Sequence, residues 1–136
     1  MGIFGKLFGG SSSRSEDSEE YANRALAPVI ALQAQVGELL KSEQFEKMLP
    51  LILRQEEILR SLSERNPDVY DLLAKTLASH ARLLLKLGRP REALEVVQSA
   101  ADAASRNDTP DVNETVVGVL QKILNAIPRG TENDKD

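Results

Sequence analysis

The stretch from Asn66 to Asn107 constrains the fold of this chain more than any other part of the sequence. Asn66 and Pro67 predict a helix start, because Asn caps helices and Pro fits the first helical position. Gly88 predicts the end of that helix, and Pro90 predicts the start of the next one. Apolar residues recur at helical spacing in both halves, at Tyr70, Leu73, Leu77, Ala81 and Leu84 and then at Ala93, Leu94, Val97, Ala100, Ala101 and Ala104. The sequence therefore predicts two helices joined by a short turn.

Similar signals elsewhere in the chain predict three more helices. We expect the first from about Asp17 to Lys41, the second from Glu43 to Arg65 and the fifth from Pro110 to Ile127. Pro28 should kink or restart the first helix, and Pro50 should kink the second. No part of the sequence has a convincing strand pattern, so the predicted fold is all-α. Because the linkers are short, consecutive helices should be antiparallel, which gives five antiparallel helices. The residues expected to face inward are Phe45, Met48, Leu49, Ile52, Leu59 and Leu62 in the second helix and Val112, Val116, Leu120, Ile123 and Ile127 in the fifth.

The chain divides into three zones by composition. Residues 1–16 carry a short apolar foot on a Gly/Ser-rich tether and are expected to be flexible. Residues 17–127 form the helical, repeat-like domain. Residues 128–136 begin with the helix-ending Pro128 and contain no apolar anchor, so we expect a disordered tail.

Composition excludes several classes of function. Cysteine is absent, so disulfides and thiol chemistry cannot contribute, which agrees with a cytoplasmic protein. Between Tyr21 and Ile127 there are 13 basic and 14 acidic residues, a net charge of −1. This near-neutral body lacks the positive excess that phosphate backbones require, so we expect no nucleic-acid partner. No apolar run approaches the length of a membrane-spanning helix.

One part of the sequence resembles the tetratricopeptide repeat, a helix-turn-helix repeat family. In that family a small residue lies in the first helix, a glycine ends it, and alanines in the second helix let the pair pack closely. A weaker copy lies 45 residues earlier, with departures at Met48 and Gln55, where small residues are expected. The resemblance implies a right-handed stack with the fifth helix as a C-terminal cap; the alternative is a plain five-helix bundle. The matching residues are Leu77, Ala81, Leu84, Gly88, Ala93, Leu94, Val97 and Ala100, and those of the weaker copy are Val36, Leu39, Phe45 and Met48.

Evidence for catalysis is nearly absent from the sequence. The single histidine, His80, lies among leucines on a predicted helix and is expected to be a packed side chain. Glu56 and Glu57 are adjacent, so a helix directs their carboxylates differently. No second His or Cys is available for a metal site of accepted spacing. We therefore expect no enzyme, no cofactor and no metal.

A polar face on the third helix is the first candidate binding surface. Lys75, Ser79, Arg82 and Lys86 are spaced so that they share one side of that helix. The repeat resemblance implies that first helices of each pair line a concave groove, with Ile30 and Ala34 of the first helix beside this face. Such a groove suits a peptide or helix of a partner that carries acidic groups. The alternative is a solvated charged face.

The apolar foot is the second candidate. Ile3, Phe4, Leu7 and Phe8 fall within one arc of a helical wheel, on a segment too short to fold alone. Exposed apolar residues on a tether indicate docking, either weakly and peripherally at a membrane or on a partner protein, unless the foot folds back onto its own body.

Together these features predict a non-catalytic adaptor or scaffold for protein binding. Its body would bind a peptide or helix, and its foot would dock to a membrane or a second partner. The alternatives are a structural homo-oligomerisation module, in which the apolar helix faces pair between copies, and a regulatory subunit of a larger assembly.

Overall fold

The computed structural model describes the backbone of residues 16–127 and the side chains of residues 24–127. The predicted all-α fold is confirmed, and the fourth helix has its predicted ends. The first helix continues through Pro28, so the restart considered there does not occur. The apolar foot and the C-terminal tail lie outside the described residues. Within those residues there are five helices and no strand: α1 Glu16–Lys41, α2 Phe45–Ser63, α3 Val69–Lys86, α4 Pro90–Asn107 and α5 Pro110–Ala126.

The core is built around α3, which packs against α2, α4 and α5. Its contact with α4 is the most extensive, because alanines let the two helices approach closely: Ala81 on α3 and Ala93 and Ala100 on α4 are fully buried. By contrast, within the described residues α1 packs against α2 and does not form a packed pair with α3. None of the helices in residues 16–127 has the length and apolar character needed to cross a membrane.

Most predicted inward residues are buried or half-buried, but one predicted residue is exposed and the buried set is larger than the predicted one. Ala101 is exposed, because it lies a step of about 100° around α4 from the buried Ala100 and so leaves the inward face. Val119 of α5 is buried although it was not predicted to face inward. The inward face of α5 is therefore broader than the predicted stripe.

The turns after α1 and α3 close in the same way. Gly88 has a φ of +78° and Glu43 a φ of +58°, so both occupy the left-handed region. After α3, the amide of Arg89 donates to the carbonyl of Leu84 at 2.8 Å. After α1, the amide of Gln44 donates to the carbonyl of Leu39 at 2.9 Å. Each turn thus has the long-range bond of a Schellman cap, and the two turns lie 45 residues apart in the sequence.

The residues that precede α3 and α5 in the sequence behave differently as caps. Asn66 accepts a hydrogen bond from the amide of Asp68 at 3.2 Å through its side-chain oxygen, as expected of a residue that starts a helix. Thr109 lies at the start of α5 but makes no capping bond; its hydroxyl donates instead to Oδ2 of Asp71 at 2.8 Å. The side chain of Thr109 therefore ties α5 to α3 rather than capping its own helix.

Candidate functional site: a groove between three helices

An open groove runs between α1, α2 and α3. It consists of a wide hollow of about 520 Å³ and a narrow hollow of about 190 Å³. The two hollows adjoin, since Gln33, Val36, Ile52 and Ser79 line both. The groove exists because α1 and α3 each pack against α2 without packing against each other.

The floor of the groove comes from α2. Ile52, Gln55 and Leu59 line the wide hollow, and Met48 lines the narrow one. Met48 and Gln55 lie 45 residues before Ala93 and Ala100, the small residues that bring α3 and α4 together. Both side chains are larger than alanine, and they lie beneath the opening.

Gln55 is the polar group of this floor. It is almost fully buried, and its side-chain nitrogen donates to the backbone carbonyl of Val29 at 3.2 Å and to Oε1 of Gln33 at 3.0 Å. Both acceptors belong to α1. A buried amide needs such partners, since an unsatisfied one costs about 1–3 kcal/mol. Gln55 therefore also holds α1 in place against α2.

All six residues predicted to bind a peptide lie on this groove. The wide hollow is lined by Ile30, Ala34, Lys75 and Ser79, and the narrow hollow by Ser79, Arg82 and Lys86.

The α1 wall differs in part from the face expected there. Gly37 and Lys41 continue the spacing of Ile30 and Ala34 along α1 but do not line the hollows, which are lined instead by Gln33 and Leu40. The buried residues Val29 and Val36 pack α1 onto α2 and so set its rotation. The face presented to the groove follows from that rotation.

The two walls differ in charge. Lys75, Arg82 and Lys86 stand on the α3 side, while the lining residues of α1 are apolar or uncharged. Among the described residues around the groove none is acidic. Lys75 and Arg82 make no salt bridge within residues 24–127, and the Nζ of Lys86 lies 5.6 Å from the ring centre of Phe45, a cation–π contact. The groove is therefore basic along one edge only.

The histidine lies away from the groove. Nδ1 of His80 is 2.7 Å from Oε2 of Glu56, and both side chains are buried between α2 and α3. Glu57 points elsewhere, as expected, and pairs with Arg54 at 2.9 Å. Among the described residues no group of three or more His, Cys, Asp or Glu side chains is placed to hold a metal ion.

No family model, curated protein or solved structure matches this chain. The groove must therefore be interpreted from its own residues. Twelve of the lining residues were not among the predicted site residues, and they include Gln33, Leu40, Leu72 and Thr76. Among these four, Leu40 carries a signal in the sequence, because a leucine four residues after Val36 lies on the same side of the helix.

Proposed function

We propose that this chain is a non-catalytic adaptor that binds a segment of another protein in the groove between α1, α2 and α3. The observation that carries this proposal is the apolar trough itself, in which Ile30 and Leu40 remain 46 % and 51 % exposed at the α1 wall. Covering apolar surface of this kind favours association by roughly 25 cal/mol per Å². Concave, largely apolar surfaces with a few polar groups are the usual binding sites of proteins.

The chemistry of the groove supports binding rather than catalysis. Its polar side chains are amides, hydroxyls and cations, and its described lining includes no carboxylate or imidazole to act as a general base. The imidazole of His80 is bonded to Glu56 between two helices. Binding a partner requires only the apolar and cationic side chains that line the groove.

We further propose a tetratricopeptide-like architecture, with α1–α2 and α3–α4 as units of a right-handed stack and α5 as its cap. The support is the pair of matching turns at Glu43 and Gly88 and the alanine contacts between α3 and α4. In this proposal α1–α2 is the weaker unit, with Met48 and Gln55 at the positions where the repeat has small residues.

A selection from a displayed library of random peptides tests the binding function. Wild-type full-length protein is compared with Ile30→Asp, which places a charge in the groove. The matched control is Leu53→Asp, since Leu53 is 45 % exposed on α2 but does not line either hollow. We expect peptides selected on the wild type to bind Leu53→Asp equally well and to lose binding to Ile30→Asp by at least about tenfold.

A second variant, Ala34→Trp, fills the wide hollow without adding charge and should also block the selected peptides. Circular dichroism and urea unfolding establish that each variant is folded. If the selected peptides bind wild type, Ile30→Asp and Ala34→Trp with equal affinity, the groove is not the binding site and the proposal is wrong.

We propose that the apolar foot, Ile3, Phe4, Leu7 and Phe8, recruits this cytoplasmic adaptor to a membrane surface or to a second protein. Deleting residues 1–10 should abolish co-sedimentation with anionic lipid vesicles while the free energy of unfolding stays unchanged. Four apolar residues predict weak, reversible vesicle binding. A large loss of stability would instead place the foot in the core.

One observation favours self-association as a second candidate function. Val117 and Leu124 lie on the same side of α5 and are 50 % and 48 % exposed. Pairing of this face between two copies would cover both side chains. Sedimentation equilibrium distinguishes the two functions: a dimer that Val117→Asp converts to a monomer supports the oligomerisation module, whereas a monomeric wild type supports the adaptor.

A further inference from the structure

We infer that the groove takes an amphipathic helix of the partner protein, with an apolar stripe against the floor and acidic side chains along the flank that faces α3. This inference rests on the proposed binding function and specifies the partner's chemistry. Three observations carry it: the composition of the walls, the length of the trough and the distribution of charge.

The walls favour a helix over an extended segment. All three walls are helices, so most of their backbone groups are bonded within each helix and offer no sheet edge. An extended peptide brings unpaired amides and carbonyls into the groove, where an unsatisfied group is costly. The side-chain nitrogen of Gln55 cannot donate to the carbonyls of such a peptide, because it is engaged with Val29 and Gln33. A helix brings its backbone already bonded.

The length of the trough corresponds to a short helix. Its lining residues run from Val29 to Leu40 on α1 and from Leu72 to Lys86 on α3. At a rise of 1.5 Å per residue, these stretches measure about 16 and 21 Å. The trough therefore accommodates about three to four turns of a partner helix.

Charge determines which helix fits. Lys75, Arg82 and Lys86 extend over about 16 Å along one edge, and no acidic residue of the described lining neutralises them. Acidic side chains at similar spacing on one flank of the partner would meet these three cations, while its other flank would meet the uncharged wall of α1. The protein's own foot fits poorly, because residues 1–10 contain Lys6 and no acidic residue.

Three synthetic peptides of about 16 residues test this inference. They share one leucine stripe and differ only along one flank, which carries Glu, Gln or Lys; circular dichroism establishes that all are helical. A fourth peptide has the Glu sequence with a central proline that prevents helix formation. Each labelled peptide is titrated with full-length protein and followed by fluorescence anisotropy, at low salt and at about 0.5 M NaCl.

We expect the Glu peptide to bind about tenfold more tightly than the Gln peptide at low salt, and to lose most of that advantage at high salt. The Lys and proline peptides should bind more weakly still. The double variant Lys75→Glu/Arg82→Glu should prefer the Lys peptide. Arg91→Glu is the control, since Arg91 is exposed on α4 away from the groove. Lys86 is left unchanged because it contacts the ring of Phe45.

The outcomes separate this inference from the function on which it rests. If the Glu, Gln and proline peptides bound with equal affinity and all lost binding to Ile30→Asp, the groove would remain the binding site. The inference that its ligand is an acidic helix would be wrong. The inference would also be wrong if none of the four peptides bound while peptides selected from the library did bind in the groove. If deletion of residues 1–10 raised the affinity of the Glu, Gln and Lys peptides equally, the foot would be the resident occupant. If Ile30→Asp left every measured affinity unchanged, the proposed function itself would be wrong.

Discussion

The matching turns after α1 and α3 place a glutamate and a glycine in the same backbone conformation. An L residue in the left-handed region is disfavoured by roughly 1–2 kcal/mol, whereas glycine adopts it freely. Glycine in turn lowers stability by about 0.4–1 kcal/mol, because it increases the entropy of the unfolded chain. The cost of the left-handed conformation for an L residue exceeds the entropic cost of glycine. We therefore predict that Glu43→Gly stabilises the protein by about 0.5–1 kcal/mol and that Gly88→Ala destabilises it by a similar amount.

Neither substitution should be confounded by lost contacts. A Cβ built on Gly88 would meet nothing within 4 Å, so its effect is conformational. Glu43 is exposed and forms no salt bridge within residues 24–127. As a control, Lys41→Gly places glycine two residues earlier, in the last turn of α1, where it should destabilise by about 0.5–1 kcal/mol.

Urea unfolding monitored by circular dichroism measures these effects, and a constant m value would show that the surface exposed on unfolding is unchanged. The double variant Glu43→Gly/Gly88→Ala should be close to additive, because each substitution acts within its own turn. The reasoning is refuted if Glu43→Gly is as destabilising as Lys41→Gly, since position 43 would then behave as an ordinary helical position.

Two further predictions concern polar contacts between helices. Glu56→Leu should lower the free energy of unfolding by about 1–3 kcal/mol, because the imidazole of His80 loses its buried partner. The double variant Glu56→Leu/His80→Leu should recover most of that loss. Urea unfolding of both single variants and the double variant measures this, and equal losses in Glu56→Leu and the double variant would contradict it. Asp71→Ala should cost about 1 kcal/mol, because Asp71 accepts hydrogen bonds from Asn107 at 3.3 Å and Thr109 at 2.8 Å. Hydrogen exchange should show faster opening of α5 in that variant, and unchanged protection there would count against the contact.

Local chemistry explains which parts of the fold could be predicted from the sequence. The ends of α4 follow from Pro90 and from the loss of the apolar stripe after Ala104. Gly88 stops α3 because its conformation is available to glycine. Position 43 has the same conformation without a glycine, so composition alone gave no indication of it. Signals of this kind depend on a few neighbouring residues.

The groove could be predicted only in part, because its opening depends on distant residues. The spacing of Lys75, Ser79, Arg82 and Lys86 determines that they share one side of α3. Whether α1 lies against that side depends on how it packs onto α2, and Gln55 reaches a carbonyl 26 residues away to hold it there. Gln55 did stand out in the sequence as a departure from the repeat pattern, but its partner on α1 could not be deduced from spacing.

Because α1 is held chiefly by α2, the width of the trough depends on the angle between those two helices. A shift of α1 would separate one rim from the other while leaving the centre of the molecule, around α3, intact. Substitutions on the side of α1 that packs against α2 should therefore change the affinity of the trough for a ligand, although they do not contact the ligand.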